Sequence, residues 1–345
     1  MSVFENTAYD AHEAVHAFYD DKSGLKGFIA VHSTHCGPSA GGVRFWRYDN
    51  STEALTDVLR LSRGMSFKNA MAGLNLGGGK AVVMIPEGGY DRAALFRAFG
   101  RFLNRTGGHY YTAEDVGMTP ADMREIKKET DFVAGLDEGE AASGDPSPVT
   151  ADGVFRCIKL GAKRKFGQPL NGMTVAIQGL GHVGMGVCEH LHDAGARLIA
   201  TDINPDAVSE VQSRFGAVIV APDDIYGVKA DVFSPCALGA TLNEVTIPTL
   251  KAKVIAGAAN NQLSTPAMGQ ALVDRGILYC PDYVVNAGGI INVAGEIEGH
   301  YSKAWVEDKL EGIVKTLSQI IDLAEASGRP TSDIADEMAM RRIGR

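Results

Sequence analysis

Lys68 and Lys80 frame a segment in which Gly77-Gly78-Gly79 stands immediately before the second lysine. Three successive glycines ahead of a lysine match neither the phosphate-cradling P-loop spacing nor a dinucleotide loop. Lys80 leads into the apolar run Ala81-Val82-Val83-Met84-Ile85, so it stands at the mouth of an expected strand beside backbone that carries no side chains. Partial desolvation there suits a lysine to acid/base work near neutral pH. Lys68 ends the stretch 56–68, where Leu59, Leu61 and Met65 suggest a partly buried helix, and its ammonium can pair with a substrate carboxylate. Taken singly, each lysine would be an ordinary surface charge, but the apolar and glycine-rich neighbours weigh against that. Asp115 lies in Tyr110-Tyr111-Thr112-Ala113-Glu114-Asp115-Val116-Gly117, ahead of a helix expected from about Pro120. By itself it is a turn or capping residue.

A second chemistry lies downstream, in Gly179-Leu180-Gly181-His182-Val183-Gly184. The apolar run 173–178 is of strand length, the glycines follow at once, and 185–194 carries Val187 and Leu191 at helical spacing. A second apolar run, Arg197–Thr201, ends in Asp202. This βαβ setting turns a weak glycine pattern into a dinucleotide-binding one. Gly179 permits the tight turn, Gly181 lets the backbone approach a pyrophosphate, and Gly184 allows close helix packing. Asp202 stands about twenty residues on, where an acid bonds the ribose 2′-hydroxyl. Ile203, Asn204 and Pro205 supply no cation for a 2′-phosphate, so NAD is expected rather than NADP.

Two domains must carry these parts. At 345 residues with 45% hydrophobic content the chain can bury two cores. Residues 1–135 carry the lysines and read as strands 26–32, 42–48 and 80–86 between helices. Residues 136–330 form the nucleotide domain, the helix-like tail 331–345 returns to the first, and 135–148, rich in glycine, serine and acids, reads as a hinge. Strand and helix signals repeat through 254–256 and 276–279, the mark of a doubly wound parallel sheet. A net charge of −9 argues against nucleic acid and acidic membranes. No apolar run approaches the roughly 20 residues of a membrane helix, and the N-terminus does not resemble a signal peptide. Five scattered cysteines without a CxxC pair favour reduced thiols and a cytoplasmic location. The histidines complete no ligand pattern, so no metal is expected.

Six motifs together carry a family resemblance: Gly37-Pro38-Ser39-Ala40-Gly41-Gly42, Arg63-Gly64-Met65-Ser66-Phe67-Lys68, Gly77-Gly78-Gly79-Lys80, Thr112-Ala113-Glu114-Asp115-Val116-Gly117, Ala256-Gly257-Ala258-Ala259-Asn260-Asn261-Gln262 and Asn286-Ala287-Gly288-Gly289-Ile290-Ile291-Asn292. In order and spacing they resemble the amino-acid dehydrogenase family of Glu/Leu/Phe/Val dehydrogenases, on its leucine, valine and phenylalanine branch. The resemblance implies an α/β catalytic and dimerisation domain, a cleft, and a Rossmann-type NAD-binding domain. It also implies reversible oxidative deamination of an aliphatic or aromatic L-amino acid, leucine first, to the 2-oxo acid, ammonium and NADH. Lys68 matches the lysine on the substrate α-carboxylate, and Lys80 the lysine that activates water and stabilises oxygen charge. Asp115 matches the aspartate exchanging protons with the amino group, and Asn261 the asparagine at the carboxylate end. Gly41 and Gly42 match the cleft wall, with Met65 on the substrate side. Ala40, Ala113, Ile290 and Val293 match pocket positions. Thr150 matches the threonine near the nicotinamide carboxamide, Asn260 and Asn286 cofactor-side asparagines, and Cys236 and Ala237 the loop over the adenosine ribose.

Some positions depart from the family pattern. Ala40 stands where leucine is common and opens the pocket, whereas Ile290 is larger than the usual valine and narrows it. Asp152 replaces a residue that is often aromatic. The resemblance implies a homo-oligomer, dimer or octamer, and the early end of the C-terminal segment bears on the octamer more than on the dimer. A hydroxy-acid dehydrogenase and a non-catalytic NAD-binding protein are the competing classes. Hydroxy-acid oxidation has no nitrogen proton to manage, and a sensor gains nothing from Lys68, Lys80 and Asp115.

Overall fold

A computed structural model describes residues 2–136, 144–299 and 301–345. Residues 137–143 of the expected hinge stretch lie outside the described residues. The chain forms two compact units: Met1–Asp145 with Ile290–Val306 and Ala339–Arg345, and Pro146–Gly289 with Glu307–Met338.

The first unit is built on a sheet of strands β1 (Ala14–Asp20), β2 (Leu25–Ser33), β3 (Ser39–Trp46), β4 (Gly77–Met84) and β5 (Tyr110–Glu114). They lie in the order β1-β2-β4-β3-β5. β1 and β2 form an antiparallel hairpin and β2 runs antiparallel to β4, whereas β4, β3 and β5 are parallel. Strand alternation sends Ile29, Val43, Ala81 and Val83 to one face, where Leu95, Phe96 and Phe99 of α2 (Arg92–Asn104) and Met123 and Ile126 of α3 (Pro120–Lys127) cover them. Ala30 and Val82 point to the other face, against Ala54, Leu55, Val58 and Leu59 of α1 (Ser51–Met71). The Asn50 side chain caps α1 by accepting from the Glu53 amide, which is why the helix starts earlier than its apolar pattern suggests.

The triple glycine has a packing cause. A Cβ on Gly78 would come within 2.0 Å of the Ser66 amide nitrogen, and one on Gly41 within 3.0 Å of the Met65 side chain. α1 therefore rests directly on bare backbone of β3 and β4. Asn69 ties the contact, its amide donating to the Gly77 carbonyl at 2.5 Å. The C-terminal residues of this unit close the far end of α1, where Arg342 donates to the Ala70 and Met71 carbonyls of the last turn.

The second unit holds six parallel strands. They are β6 (Thr174–Gln178), β7 (Arg197–Thr201), β8 (Val218–Ile219), β9 (Val232–Pro235), β10 (Val254–Ile255) and β11 (Leu278–Tyr279). Their order is β11-β10-β9-β6-β7-β8, with every pair parallel. This is the doubly wound dinucleotide-binding order, whose direction reverses between β6 and β9. Its helices are α4 (Ser147–Phe166), α5 (His182–Asp193), α6 (Pro205–Phe215), α7 (Ala267–Asp274) and α8 (Asp282–Val285). Three further helices, α9 (Gly288–Ile297), α10 (Lys303–Ser327) and α11 (Thr331–Arg342), contain the points where the chain passes between units. Asp152 acquires an explanation here. Both its carboxylate oxygens accept from Arg156 one turn on, and Arg156 also reaches Glu307 and Glu311 of α10. An aromatic side chain would leave that guanidinium without the carboxylate partner on its own helix.

The glycine explanation is tested by Gly78→Ala. The added methyl forces α1 off the sheet, and overpacking of this kind costs about 1–3 kcal/mol. We expect a lower urea midpoint for Gly78→Ala, and an unchanged or higher one for Gly64→Ala, whose Cβ meets nothing within 4 Å and which lies on the exposed side of α1, where alanine is the better helix former by about 0.5–1 kcal/mol.

Candidate active site

Lys80 is 6% exposed, on the face of β4 that α1 covers. A bare ammonium is not stable in such a place, and its partner is Asp115, whose Oδ2 lies 3.0 Å from the Lys80 Nζ. Asp115 follows directly on β5, and β3 lies between β5 and β4. Gly42 of β3 is what lets the carboxylate in, because a Cβ there would lie 2.7 Å from the Asp115 Cβ. The desolvation expected for Lys80 is therefore present, and the sequence reading left out the carboxylate that offsets it.

Asp115 carries a second cation. The Arg44 Nε donates to the same Oδ2 at 3.2 Å. Burial alone would raise its carboxyl, but Lys80 first and Arg44 next overcome that and hold it ionised, down to about 2. Arg44 in turn donates from NH1 to the Asp57 Oδ2 at 2.9 Å, and the Tyr48 hydroxyl donates to that oxygen at 2.7 Å. Sequence reading missed Arg44, Asp57 and Tyr48. The available signal was strand alternation, which puts Gly42 and Arg44 of β3 on one face.

Tyr110 fixes the wall beside this pair. Fully buried, it donates its hydroxyl toward the Gly41 and Gly42 carbonyls, each at 3.0 Å. Burial pushes the phenol well above its ordinary value, so it remains a donor. Lys68 lies half-buried in the last turn of α1, on the helix that also carries Met65. Ala40 is fully buried in β3, while Ala113, Ile290 and Val293 keep a little exposure. Ala113 and Val293 converge, each side chain 3.9 Å from a Cβ built on Gly135, whose amide donates to Glu296 at 2.8 Å.

In the second unit the glycine loop occupies the topological switch point. Gly179 has φ +98°, a conformation open to glycine, and a Cβ there would strike Ala237 of the neighbouring loop. A Cβ on Gly184 would meet the Gly179 carbonyl. α5 begins after Gly181 with no side-chain cap, so its first-turn N–H groups, around His182 and Val183, are open to an anion. Asp202 is locked against the loop, accepting from Leu180 N at 2.6 Å and from Asn204 N at 2.7 Å.

Asn286 donates to the Ala258 carbonyl and to Asn260 Oδ1, which leaves its own buried Oδ1 without a hydrogen-bond partner. A ligand N–H group would satisfy that acceptor. Asn261 stands at φ +52°, a strained conformation for a residue with a side chain. Thr150 sits in the first turn of α4, its hydroxyl donating back to the Pro146 carbonyl at 2.9 Å. Burial pushes the Cys236 thiol up, which disfavours the thiolate form that a nucleophile needs. Among the described residues no cluster suited to a metal occurs, and no helix is long and apolar enough to cross a membrane.

Comparisons with known proteins agree with this arrangement. Residues 12–132 match the family model described as Glu/Leu/Phe/Val dehydrogenase, dimerisation domain, and residues 201–344 match that of glutamate/leucine/phenylalanine/valine dehydrogenase. The chain is 49% identical to a leucine dehydrogenase of Geobacillus stearothermophilus, over 99% of this chain and 94% of that one. It is 43% identical to a valine dehydrogenase of Streptomyces albus, over 96% and 92%. The crystal structure of L-tryptophan dehydrogenase from Nostoc punctiforme superposes with a TM-score of 0.85 at 42% identity, over 96% of each chain. An α/β catalytic unit joined to a Rossmann-type parallel sheet, with the motifs of both halves in place, makes this chain a member of the Glu/Leu/Phe/Val dehydrogenase family.

Proposed function

We propose that the protein is an NAD-dependent L-amino-acid dehydrogenase acting on a branched aliphatic substrate, with leucine first. The reaction is L-amino acid, NAD and water to 2-oxo acid, ammonium, NADH and a proton, and it is reversible. The observation that carries the reading is the ion pair of buried Lys80 with part-buried Asp115, 3.0 Å across, in a chain 49% identical to a leucine dehydrogenase.

The amino acid needs three services from the first unit. Lys68 anchors the α-carboxylate and so orients the α-carbon. Asp115, held ionised, accepts a hydrogen bond from the substrate amino group and exchanges protons with it. Lys80 orients the attacking water toward the iminium carbon and stabilises negative charge on the carbinolamine oxygen as that intermediate collapses and C–N cleavage releases ammonia. Gly41, Gly42 and Met65 bound the reacting end. Ala40, Ala113, Ile290 and Val293 bound the side chain, with Asn261 at its carboxylate end.

Bound NAD supplies the acceptor for the α-hydrogen. The residues of the second unit fit such a group. The uncapped start of α5 behind Gly179, Gly181 and Gly184 suits a pyrophosphate, and Asp202 suits a ribose diol and repels a 2′-phosphate. The orphaned Asn286 Oδ1, with Asn260 and Thr150 nearby in the fold, suits a carboxamide, and Cys236 and Ala237 border the adenosine side. A homo-oligomer fits the dimerisation-domain match to residues 12–132.

An aromatic substrate is the second reading, favoured by the similarity to the Nostoc enzyme. NADH formation with leucine, valine, phenylalanine, tryptophan, alanine and glutamate decides. We expect leucine or valine to have the highest kcat/KM. Phenylalanine or tryptophan in first place gives the aromatic reading, and silence across the panel with NAD still bound discards the amino-acid substrate.

Lys80→Ala should lower kcat about 10²- to 10⁴-fold with NAD affinity unchanged; wild-type turnover would sink the assignment. Asp202→Ala should shift the NAD/NADP preference toward NADP by roughly tenfold, the worth of one hydrogen bond to a charged group. An unmoved ratio means that another residue sets cofactor choice.

A further inference from the structure

We propose that Arg44 is a positioning residue that holds Asp115 in register with Lys80 throughout turnover, and that Asp57 and Tyr48 brace Arg44 for that task. This deepens the reading of Lys80 and Asp115 given above and rests on it.

The geometry is a chain of alternating charge: Lys80 Nζ to Asp115 Oδ2 at 3.0 Å, that same oxygen to Arg44 Nε at 3.2 Å, and Arg44 NH1 to Asp57 Oδ2 at 2.9 Å. Tyr48 closes the chain by donating to Asp57 at 2.7 Å. The parts come from three elements packed around one carboxylate: Lys80 from β4, Arg44 from β3 and Asp57 from α1. Two cations on one oxygen, approaching from neighbouring strands, fix the carboxylate torsion where one alone would let it swing. Arg44 divides its planar fork between two acids, so its own position is fixed by Asp57 as firmly as by Asp115.

The chemistry gives this arrangement a purpose. Lys80 acts on the attacking water and on the carbinolamine oxygen, and any proton that passes between it and them changes its charge within the cycle. If Lys80 were the sole counter-charge, each loss of its proton would strip Asp115 of its partner and make the carboxylate a proton trap. A guanidinium does not lose its proton in a protein. Arg44 therefore keeps one full positive charge on Asp115 in every protonation state of Lys80. Arg44 acts through Asp115 and needs no contact with substrate.

The test is steady-state kinetics of amino-acid oxidation by the full-length enzyme and its Arg44→Ala variant, with and without added methylguanidinium or neutral methylurea of similar shape. Arg44→Ala should lower kcat about 10²-fold, the scale of a misplaced catalytic group, while KM for the amino acid and for NAD stays at wild-type values. Methylguanidinium should restore a large part of kcat and methylurea none, and Arg44→Lys should keep more activity than Arg44→Ala. Unchanged kcat, a loss confined to KM, or equal rescue by methylurea would overturn the proposal, the last because it assigns Arg44 only to filling space.

Where Arg44→Ala does not fold, Asp57→Asn keeps both cations on Asp115 and removes only the brace. It should lower kcat with KM unchanged, and wild-type kcat contradicts the proposal. Asp115→Asn separates the two levels. If that enzyme turns over like wild type, the role of Asp115 itself is wrong. If Asp115→Asn is inactive but Arg44→Ala is not, only the role of Arg44 fails.

Discussion

An ammonium at 6% exposure and a carboxylate 3.0 Å away form the contact that orders the first unit. Removing two charges from water costs several kcal/mol each, and their attraction repays it only with good geometry and further hydrogen bonds. That requirement explains features with no other evident use. Gly42 must lack a side chain for Asp115 to approach, Gly78 must lack one for α1 to cover the strand carrying Lys80, and Arg44 must supply the second donor. A pair so placed is a poor device for stability and a good one for chemistry, since Lys80 is desolvated and Asp115 largely so, and both are aligned before substrate arrives.

The two units divide the physical work. The first is a mixed sheet covered on both faces, and its rigid elements present Lys68, Lys80 and Asp115 from a helix, a strand and a strand end. The second is a parallel sheet whose order reverses between β6 and β9, and it contributes fixed polar groups: open backbone N–H groups at α5, a held carboxylate at Asp202 and an unsatisfied amide oxygen at Asn286. The two glycine clusters follow different patterns because they meet different steric demands. Gly77-Gly78-Gly79 serve close packing of β4, with Gly78 directly under α1, whereas Gly179 and Gly184 shape the tight turn ahead of α5.

Much of this was legible in the sequence, for identifiable reasons. β6, the glycine turn, α5 and β7 succeed one another with local signals at every step, so Gly179 and Asp202 were readable from periodicity and spacing. Strands over 25–33, 39–46 and 77–84 were expected within a few residues. β5 was not, because Tyr110–Glu114 is short, ends in acids and runs straight into a turn, although its Tyr-Tyr-Thr content suits a strand. β1 and the long α10 were also passed over. The Arg44–Asp115 contact was not read because the two residues are far apart in sequence and meet only through strand pairing, with strand alternation in β3 as the one local sign. Asp152 is explained only by a tertiary contact, because the Arg156 that it binds is also held by Glu307 of α10.

The central claim, that Lys80 and Asp115 act as one preorganised unit, is tested most directly by a double-mutant cycle on kcat. Turnover of leucine is measured for wild type, Lys80→Ala, Asp115→Ala and the double variant. Groups that act as a unit are strongly non-additive, so the double variant should be no slower than the slower single variant within a few-fold. Losses that multiply would mean two independent groups, and the ion pair would then be a structural contact and not the catalytic device.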